Sequence, residues 1–402
     1  MKGTPKAVPG KVRTGLEILI DTEKDKLEGK GIALLAHAAS VTPWIEYAWD
    51  ALCSLPGFRL KALFSPEHGL MGTHQDQEGV REQHDFQCNG VAVCSLYGED
   101  PASLRPSKER LTGVDLLIVD LQDVGSRYYT YLYTLSYCME ACKEVGAQVW
   151  VLDRPNPIGG LILEGNLVAT GFRSFVGRYP LPVRHGMTIG ELAWMINEVF
   201  DIACSLRVLP MEGWKRGMWF DQTGLPWVLP SPNMPTLDTA TVYPGACLLE
   251  GTNLSEGRGT TRPFEIVGAP WVDPATFART LNGFGLPGVR FRPIWFRPTF
   301  HKFAGETCGG VQIHVVNRRS FLPFLTGIHL ISCAAGLWPE AFDWRREPYE
   351  FEVERLAIDL LAGGAWLREA VEQGKDLARV EEGWKNQLRE FKTLRKSYLL
   401  YR

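Results

Sequence analysis

The first half of the chain alternates short apolar runs with stretches of helical periodicity, and polar turn residues follow most of these runs. Apolar strands that are separated by helices are typical of a parallel sheet buried on both faces. The sequence therefore predicts an α/β fold, in which a Rossmann-like parallel sheet carries helices on both faces. The predicted strands are Gly31–Ala36, Arg59–Phe64, Val91–Leu96, Val114–Asp120, Gln148–Leu152 and Leu206–Leu209, and the predicted helices are Trp44–Leu55, Thr130–Val145 and Thr188–Phe200.

The second half has a different pattern, which predicts a smaller α+β domain. Residues 221–270 are rich in Pro, Gly, Asn and Thr, and we expect a long ordered loop there, of the kind that usually carries function. The expected organisation is an N-terminal tail over 1–13, the Rossmann-like domain over 14–215 and the smaller C-terminal domain over 216–402. The predicted strands of this domain are Val289–Trp295 and Gly310–Val316, and its predicted helices are Phe321–Leu337, Glu350–Leu361 and Leu377–Thr393.

Composition and charge exclude several classes of protein. With 402 residues, 45% of them hydrophobic, and a formal net charge of -3, the chain lacks the basic domain of a nucleic-acid binder. No apolar run reaches the roughly 18 residues of a membrane-spanning helix, and no secretory signal is visible. We therefore expect no nucleic-acid or membrane partner and a cytoplasmic location. The nine scattered cysteines, expected to be free and buried, fit a reducing compartment.

Polar side chains gather at the ends of the predicted strands. In doubly wound sheets, ligands bind outside the carboxyl ends of the strands. We therefore expect these side chains to line one pocket together with the loop over 250–265. The residues concerned are Glu67, His68, Tyr97, Gln122, Asp123, Asp153, Arg154 and Asn156.

The motifs of the common cofactors are missing from the sequence. No G-x-G-x-x-G follows the first strand, and no phosphate-binding G-x-x-x-x-G-K-[ST] occurs anywhere. No H-E-x-x-H or zinc-type Cys/His spacing is present either. We expect neither a nucleotide nor a metal requirement, and thus no cofactor. A G-x-S-x-G nucleophile motif is also missing, which argues against a serine hydrolase.

Glu67 is the carboxylate that the sequence singles out for chemistry. Pro66 fixes its own φ and Gly69 permits a tight turn, so Glu67 is expected on a stiff corner after a buried strand. A carboxylate on such a corner suits general acid–base catalysis if burial raises its pKa. The alternative is that Glu67 caps the helix that follows.

Two further segments are rich in side chains that bind carbohydrates. Residues 250–265 combine glutamates, arginines and hydroxyls with glycines, which let a backbone approach a ligand closely. Near the start of the predicted helix at Thr130, aromatic rings stand beside charged groups. The residues of this second segment are Asp123, Arg127, Tyr128, Tyr129 and Tyr131.

These stretches resemble the bacterial exo-β-N-acetylmuramidases, and the resemblance covers roughly residues 14–400. Seven motifs in order are far more specific than any one of them. They are FSPEHG at 64–69, LQDVGSRYYTY at 121–131, LDRPNPIGG at 152–160, RHGMTIGELA at 184–193, PSPNMPT at 230–236, YPGACLLEGTNLSEGRGTTRPFE at 243–265 and GAPWVD at 268–273.

The resemblance implies a Rossmann-like domain without a bound nucleotide, a smaller C-terminal domain, and an active site in the cleft between them. It implies release of N-acetylmuramic acid from non-reducing ends of peptidoglycan fragments, so that the partner is a peptidoglycan-derived saccharide. The glutamate of the S-P-E-H-G motif, Glu67 in this chain, is the implied catalytic carboxylate. Members of the family are often exported.

Glycoside hydrolysis usually needs a second carboxyl group beside the general acid, for which Glu67 is the first candidate. The second group is Glu78, Glu164 or Glu256, unless the acetamido group of the substrate itself attacks. An arginine would bind the lactyl carboxylate of muramic acid. The candidates for that arginine are Arg127, Arg154 and Arg258, and the other candidate substrate-binding residues are His68, Asp123, Tyr128, Asp153, Asn156, Glu164, His185, Asn233 and Asn253.

Two other functions stay open at this point. A non-catalytic muropeptide- or sugar-binding protein on the same fold would leave Glu67 exposed. A serine esterase or amidase would use Ser65 or Ser255, with His68 or His185 as its base.

Overall fold

A computed structural model describes residues 12–80, the backbone of 83–88, and residues 90–377 and 380–402. Within these residues the larger sheet has seven strands in the order β3-β4-β2-β1-β5-β6-β7. All neighbours run parallel except β3, which pairs antiparallel with β4 at the edge. The strands are β1 (Gly31–Ala36), β2 (Arg59–Ser65), β3 (Gln83–Cys88), β4 (Val91–Ser95), β5 (Leu116–Asp120), β6 (Gln148–Leu152) and β7 (Leu206–Leu209).

Helices cover both faces of this sheet, as the sequence predicts. Ile32 and Leu34 of β1 pack with Trp49 of one helix, whereas Ala33 and Leu35 face the opposite core. Side chains alternate between the two sides of a strand, so a strand buried on both faces is apolar throughout. The predicted α/β class is confirmed. The helices of this domain are α1 (Gly15–Ile18), α2 (Ala48–Cys53), α3 (Tyr131–Val145) and α4 (Ile189–Val199).

The smaller domain contains an antiparallel sheet of three strands in the order β8-β10-β9. The predicted long loop over 221–270 is interrupted by a helix and a strand, α5 and β8. Thr236 caps α5 by accepting a hydrogen bond from the backbone N–H of Thr239. The elements are α5 (Leu237–Ala246), β8 (Ile266–Ala269), α6 (Pro274–Gly283), β9 (Val289–Phe296), β10 (Cys308–Val315), α7 (Pro323–Leu337), α8 (Ala357–Ala362), α9 (Trp366–Glu372) and α10 (Lys385–Arg395).

The helix predicted to begin at Glu350 begins only at Ala357. The preceding residues form a turn, in which Tyr349 and Glu352 exchange two backbone hydrogen bonds of 3.0 and 2.9 Å. Glu350 and Phe351, at the tip of this turn, have φ values of 49° and 66°. This left-handed conformation is rare for residues other than glycine and is incompatible with a right-handed helix. We call residues 349–352 the 349–352 turn.

The end of the chain returns to the larger domain. The guanidinium of Arg395 donates to the carbonyl groups of Gly160 and Gly186, at 3.2 and 2.8 Å. The hydroxyl of Tyr401 donates to Asp153 at 2.5 Å. The smaller domain is therefore connected to the larger one in two places. The chain passes from one domain to the other after β7, and the C-terminal residues form hydrogen bonds back to the larger domain. No helix among the described residues is both long and apolar enough to cross a bilayer.

Candidate active site

A narrow cavity of about 40 Å³ lies where the end of β2 meets the smaller domain. Six of the residues singled out from the sequence line it, and so do carboxylates and aromatic rings that the sequence did not single out. The lining residues are Glu67, His68, Asp76, Tyr128, Tyr129, Thr130, Val176, Ser231, Asn233, Met234, Tyr243, Glu250, Arg258, Phe264, Tyr349 and Glu350. We call this space the inner cavity.

Glu67 is held at the wall of the inner cavity by two hydrogen bonds. The hydroxyl of Thr130 donates to its Oε2 at 2.7 Å, and the backbone N–H of Gln77 donates to its Oε1 at 3.4 Å. Residues 67–72 form turns, so no helix begins directly after Glu67 for it to cap. Only 5% of Glu67 is exposed, which disagrees with the exposed glutamate expected of a non-catalytic sugar-binding protein.

His68 lies beside Glu67 in a left-handed conformation, with φ at 72°. Its Nδ1 is 2.9 Å from the carbonyl oxygen of His74. A carbonyl only accepts, so Nδ1 carries the hydrogen in this arrangement, and Nε2 is the nitrogen available to a ligand. His68 thus presents a hydrogen-bond acceptor or a proton-accepting site to the inner cavity.

Glu350 is a further carboxyl group at this site, beside Glu67, Asp76 and Glu250, and it was missed by the sequence analysis. It is 7% exposed, and its Oε2 accepts a 2.9 Å hydrogen bond from the hydroxyl of Tyr97. Burial raises the pKa of Glu350 well above its ordinary value, and the negative charge of Glu67 raises it further. Both effects favour the protonated, proton-donating form of Glu350.

The loops around the inner cavity are joined by Arg258, which is buried among three carboxylates. Its guanidinium lies 3.2 Å from Asp76, 2.7 Å from Glu250 and 3.2 Å from Glu256. Burial alone would lower the pKa of Arg258, but these three negative charges raise it well above the ordinary value. One cation thus binds the loop after β2 to the segment after α5. Tyr349, before Glu350, adds to this cluster by donating to Glu250 at 2.7 Å.

Glu256 and Glu78, the two other predicted catalytic residues, do not line the inner cavity. Lys302 lies 2.9 Å from Glu256. Burial would raise the pKa of Glu256, but Lys302, His301 and Arg258 together lower it well below the ordinary value. A carboxylate whose ionised form is favoured in this way is a poor proton donor. Glu78 is exposed and accepts a hydrogen bond from the backbone N–H of Gln75 at 2.9 Å.

Glu164, the third candidate for the second carboxyl group, is buried away from the inner cavity. Its Oε1 accepts a 2.9 Å hydrogen bond from the backbone N–H of Leu325 at the start of α7. Burial raises the pKa of Glu164 to about 7. It joins the two domains, and the structure gives no support to the predicted contact with substrate.

The polar residues at the ends of β5 and β6 also do not reach the inner cavity, contrary to the expectation of one shared pocket. Arg154 forms a bidentate ion pair with Asp120, with distances of 2.5 and 2.7 Å. The carboxylate of Asp153 accepts from Thr188 at 2.7 Å, Asn156 donates to the carbonyl of Met187 at 2.9 Å, and Gln122 donates to the carbonyl of Pro155. Gln122 and Asn156 thus satisfy buried backbone carbonyls of neighbouring loops, and Arg154 and Asp153 pair with other buried side chains.

Four other predicted substrate-binding residues have similar structural contacts. Arg127 donates to the backbone carbonyls of residues 166, 181 and 361. Asp123 accepts from the backbone N–H of Gly125 at 2.6 Å, and burial raises its pKa to about 7. His185 accepts from the backbone N–H of Met187, and Asn253 donates to the carbonyl of Ala341. Of the three candidate arginines, Arg258 alone lines the inner cavity.

Neither serine proposed for an esterase is paired with a histidine among the described residues. Ser255 accepts from the backbone N–H of Gly257 at 3.2 Å, and the hydroxyl of Ser65 is buried without a hydrogen-bond partner there. His68 and His185 bond to other groups, as described above. The arrangement that activates a serine nucleophile is thus not formed in this region. Over the same residues, no group of three His, Cys, Asp or Glu side chains is arranged to hold a metal ion.

Comparisons with known proteins cover both domains. The sequence model of exo-beta-N-acetylmuramidase NamZ, N-terminal, matches residues 32–238, and that of the C-terminal region matches residues 241–401. The peptidoglycan beta-N-acetylmuramidase NamZ of Bacillus subtilis (strain 168) is 45% identical over 391 residues, which are 97% of this chain and 92% of that protein.

Two solved structures share the fold over nearly the whole chain. Both are crystal structures of DUF1343 family proteins from Bacteroides fragilis NCTC 9343. One is 33% identical with a TM-score of 0.86, and the alignment covers 98% of this chain and 100% of that one. The other is 29% identical with a TM-score of 0.75, and the alignment covers 97% and 99% of the two chains.

Proposed function

The chain belongs to the exo-beta-N-acetylmuramidase NamZ family, and from that premise we propose that the inner cavity is its catalytic site, with Glu350 as general acid and Glu67 as the partner carboxylate. The protein is a glycoside hydrolase that acts on peptidoglycan and releases N-acetylmuramic acid from non-reducing chain ends. The sequence analysis assigned the acid role to Glu67. We assign it instead to Glu350, because burial and the charge of Glu67 favour the protonated form of Glu350.

The observation that carries this proposal is that two buried carboxyl groups, Glu67 and Glu350, line the same narrow cavity. Burial and the charge of Glu67 raise the pKa of Glu350, which suits Glu350 to the role of general acid. A glycosidase usually combines one carboxyl group whose pKa is raised, which donates the proton, with a second carboxyl group that supplies negative charge.

The pair accounts for each step of hydrolysis. Glu350 donates its proton to the glycosidic oxygen as the bond from that oxygen to the anomeric carbon breaks, and the rest of the saccharide leaves as an alcohol. Glu67 stabilises the positive charge that develops at the anomeric carbon. A water molecule supplies the hydroxyl group of the released sugar, and its proton restores the acid form of the carboxyl pair.

The inner cavity has to widen before it can hold a sugar. Ligand pockets usually begin at roughly 300 Å³, far above the 40 Å³ of this cavity. The 349–352 turn forms part of the wall, and its left-handed residues Glu350 and Phe351 are held by few backbone bonds. Movement of this turn is therefore the proposed route by which the terminal sugar enters.

The experiment compares two chromogenic substrates that share one aglycone, an N-acetylmuramide and an N-acetylglucosaminide. We expect hydrolysis of the N-acetylmuramide alone. A saccharide labelled at its reducing end should lose one unlabelled N-acetylmuramic acid per turnover, as an exo-acting enzyme requires. Hydrolysis of neither chromogenic substrate, or release of internal fragments, would contradict the proposed function.

A further inference from the structure

A second, larger cavity lies directly beyond Glu350 and has a volume of about 560 Å³. This volume falls within the roughly 300–1,000 Å³ that is usual for ligand pockets. The lining residues are Pro101, Leu104, Tyr137, Glu140, Arg173, Ser174, Phe175, Arg178, Tyr179, Phe200, Glu350, Phe351, Glu352 and Arg355. We call this space the outer cavity.

Glu350 is the single described residue that lines both cavities. The general acid of a glycosidase acts on the oxygen between two sugars, so it stands at the boundary between the sites for those sugars. Since Glu67 lines the inner cavity and not the outer one, the terminal sugar belongs on the inner side. The outer cavity then lies on the side of the leaving saccharide.

The walls of the outer cavity combine aromatic rings with arginines. The guanidinium of Arg178 lies 3.9 Å from the centre of the Tyr137 ring and is paired with Glu140 at 2.6 Å. Arg355 is paired with Glu352. Flat aromatic surfaces pack against the apolar faces of sugar rings, and the fixed arginines offer donors to hydroxyl and acetamido groups.

Arg173 adds a positive charge to the outer cavity. It is exposed, and no side-chain partner accompanies it among the residues that the structure describes. Arg178 and Arg355, by contrast, are each matched by a glutamate. A free guanidinium beside aromatic rings favours an anionic ligand, and a carboxylate is the group that it binds best.

We propose that the outer cavity binds the saccharide that leaves, and that Arg173 binds a carboxylate of that saccharide. In a peptidoglycan strand the leaving part carries further N-acetylmuramyl residues, each with a lactyl carboxylate. The outer cavity thus selects long glycan substrates over small aryl muramides. This inference rests on the proposed function, because it uses the position of Glu350 as the acid.

The test uses Arg173→Glu in the full chain, with Arg319→Glu as a matched control at an exposed site outside both cavities. The measured quantity is kcat/KM on an aryl N-acetylmuramide and on an oligosaccharide with three or more sugars beyond the terminal N-acetylmuramyl unit. For Arg173→Glu we expect a loss of about tenfold or more on the oligosaccharide, mainly through KM, and a change below about twofold on the aryl substrate. Arg319→Glu should change neither.

Equal losses on both substrates, or no loss on either, would overturn the inference. Calorimetric titration of the oligosaccharide without its terminal sugar supplies a second readout that needs no turnover. If the wild-type protein binds this oligosaccharide and Arg173→Glu binds it more weakly, the inference about the outer cavity is supported, whatever the hydrolysis assay shows. If the wild-type protein hydrolyses no muramide, the proposed function alone is refuted. Absence of binding by the wild-type protein would overturn the inference while leaving the hydrolysis assay to judge the function.

Discussion

The hydroxyl of Tyr97 donates a 2.9 Å hydrogen bond to Oε2 of Glu350, across 253 positions of sequence. Tyr97 follows β4 in the larger domain, whereas Glu350 lies at the tip of the 349–352 turn in the smaller one. The ring of Tyr97 also packs against Phe351, with 5.2 Å between ring centres. A residue of one domain therefore positions the proposed acid of the other.

Replacing Tyr97 by phenylalanine should lower kcat by about three- to tenfold, the effect of losing one hydrogen bond that orients the acid. The bond favours the ionised form of Glu350, so its loss should also raise the pKa of that group. We therefore expect the alkaline limb of the pH dependence of kcat to move to higher pH. An unchanged profile together with normal kcat would show that Tyr97 does not act on the acid.

Replacing Glu350 by glutamine should remove the transferable proton while keeping the shape of the side chain. The loss in kcat should be about 100- to 10,000-fold on saccharides with poor leaving groups, and smaller on an aryl substrate with an acidic phenol. Since activity requires protonated Glu350, the alkaline limb of the profile should disappear. The matched control is Glu354→Gln, an exposed glutamate just after the turn that lines neither cavity. Normal turnover of Glu350→Gln on both substrates would refute its role as acid.

Replacing Glu67 by glutamine should lower kcat by about 100- to 1,000-fold, because a charge that stabilises the transition state is lost. The charge of Glu67 also raises the pKa of Glu350. The alkaline limb of the residual activity should therefore shift to lower pH, opposite to the shift expected for Tyr97→Phe. If Glu67 were itself the general acid, the limb would vanish instead. The thermal midpoint should change little, because no helix depends on Glu67 as a cap.

Replacing Arg258 by methionine should destabilise the fold strongly. The change leaves Asp76, Glu250 and Glu256 without their shared cation, and breaking one side of a buried ion pair typically costs about 3–5 kcal/mol. Urea unfolding of the purified variant measures the free energy directly. The control is Arg262→Met, whose pair with Glu265 is half exposed and should contribute at most about 1 kcal/mol. Equal stability of the two variants would contradict the role of Arg258 in joining the loops.

His37 should make the stability of the protein depend on pH on the acid side. Burial lowers the pKa of His37 from 6.5 to about 3, and its ring accepts from the backbone N–H of Gln122 and contacts the carbonyl of Pro230. Because its folded pKa is depressed, its contribution is complete above pH 6.5 and is lost as pH falls through 6.5 toward 3. The free energy of unfolding of His37→Gln should fall less steeply over this range, by up to about 1.4 kcal/mol per pH unit. Parallel curves for the two proteins would disprove this linkage.

The strands of the larger sheet were predictable because burial on both faces leaves a sharp apolar run. Gly31–Ala36, Gln148–Leu152 and Leu206–Leu209 begin and end where the sequence predicts. Helix α5 (Leu237–Ala246) was not predictable, because its threonines, proline and glycine are poor helix formers that tertiary packing holds in place. Strand β3 (Gln83–Cys88) was not predictable either, since its polar composition lacks that signal.

The site was predicted in part, for a physical reason. Glu67 and its motif stand out because a carboxylate follows a buried strand at a rigid turn. Glu350 was not predictable from the sequence. It reaches the cavity through a left-handed backbone conformation, and glutamate adopts that conformation so rarely that the sequence gives no sign of it. Conversely, Asp153 and Arg154 are residue types that are common in binding sites, but their side chains bond to the buried side chains of Thr188 and Asp120. Sequence gives the residue type at a strand end, but the hydrogen-bond partner depends on distant segments.

The bond from Tyr401 to Asp153 has a mechanical consequence for the two domains. This bond holds the end of the smaller domain against the larger one just after β6, and the bonds from Arg395 to Gly160 and Gly186 hold it at two further loops. Rotation of one domain as a rigid body would have to break these contacts. Heating should accordingly yield one calorimetric peak, in which both domains melt together.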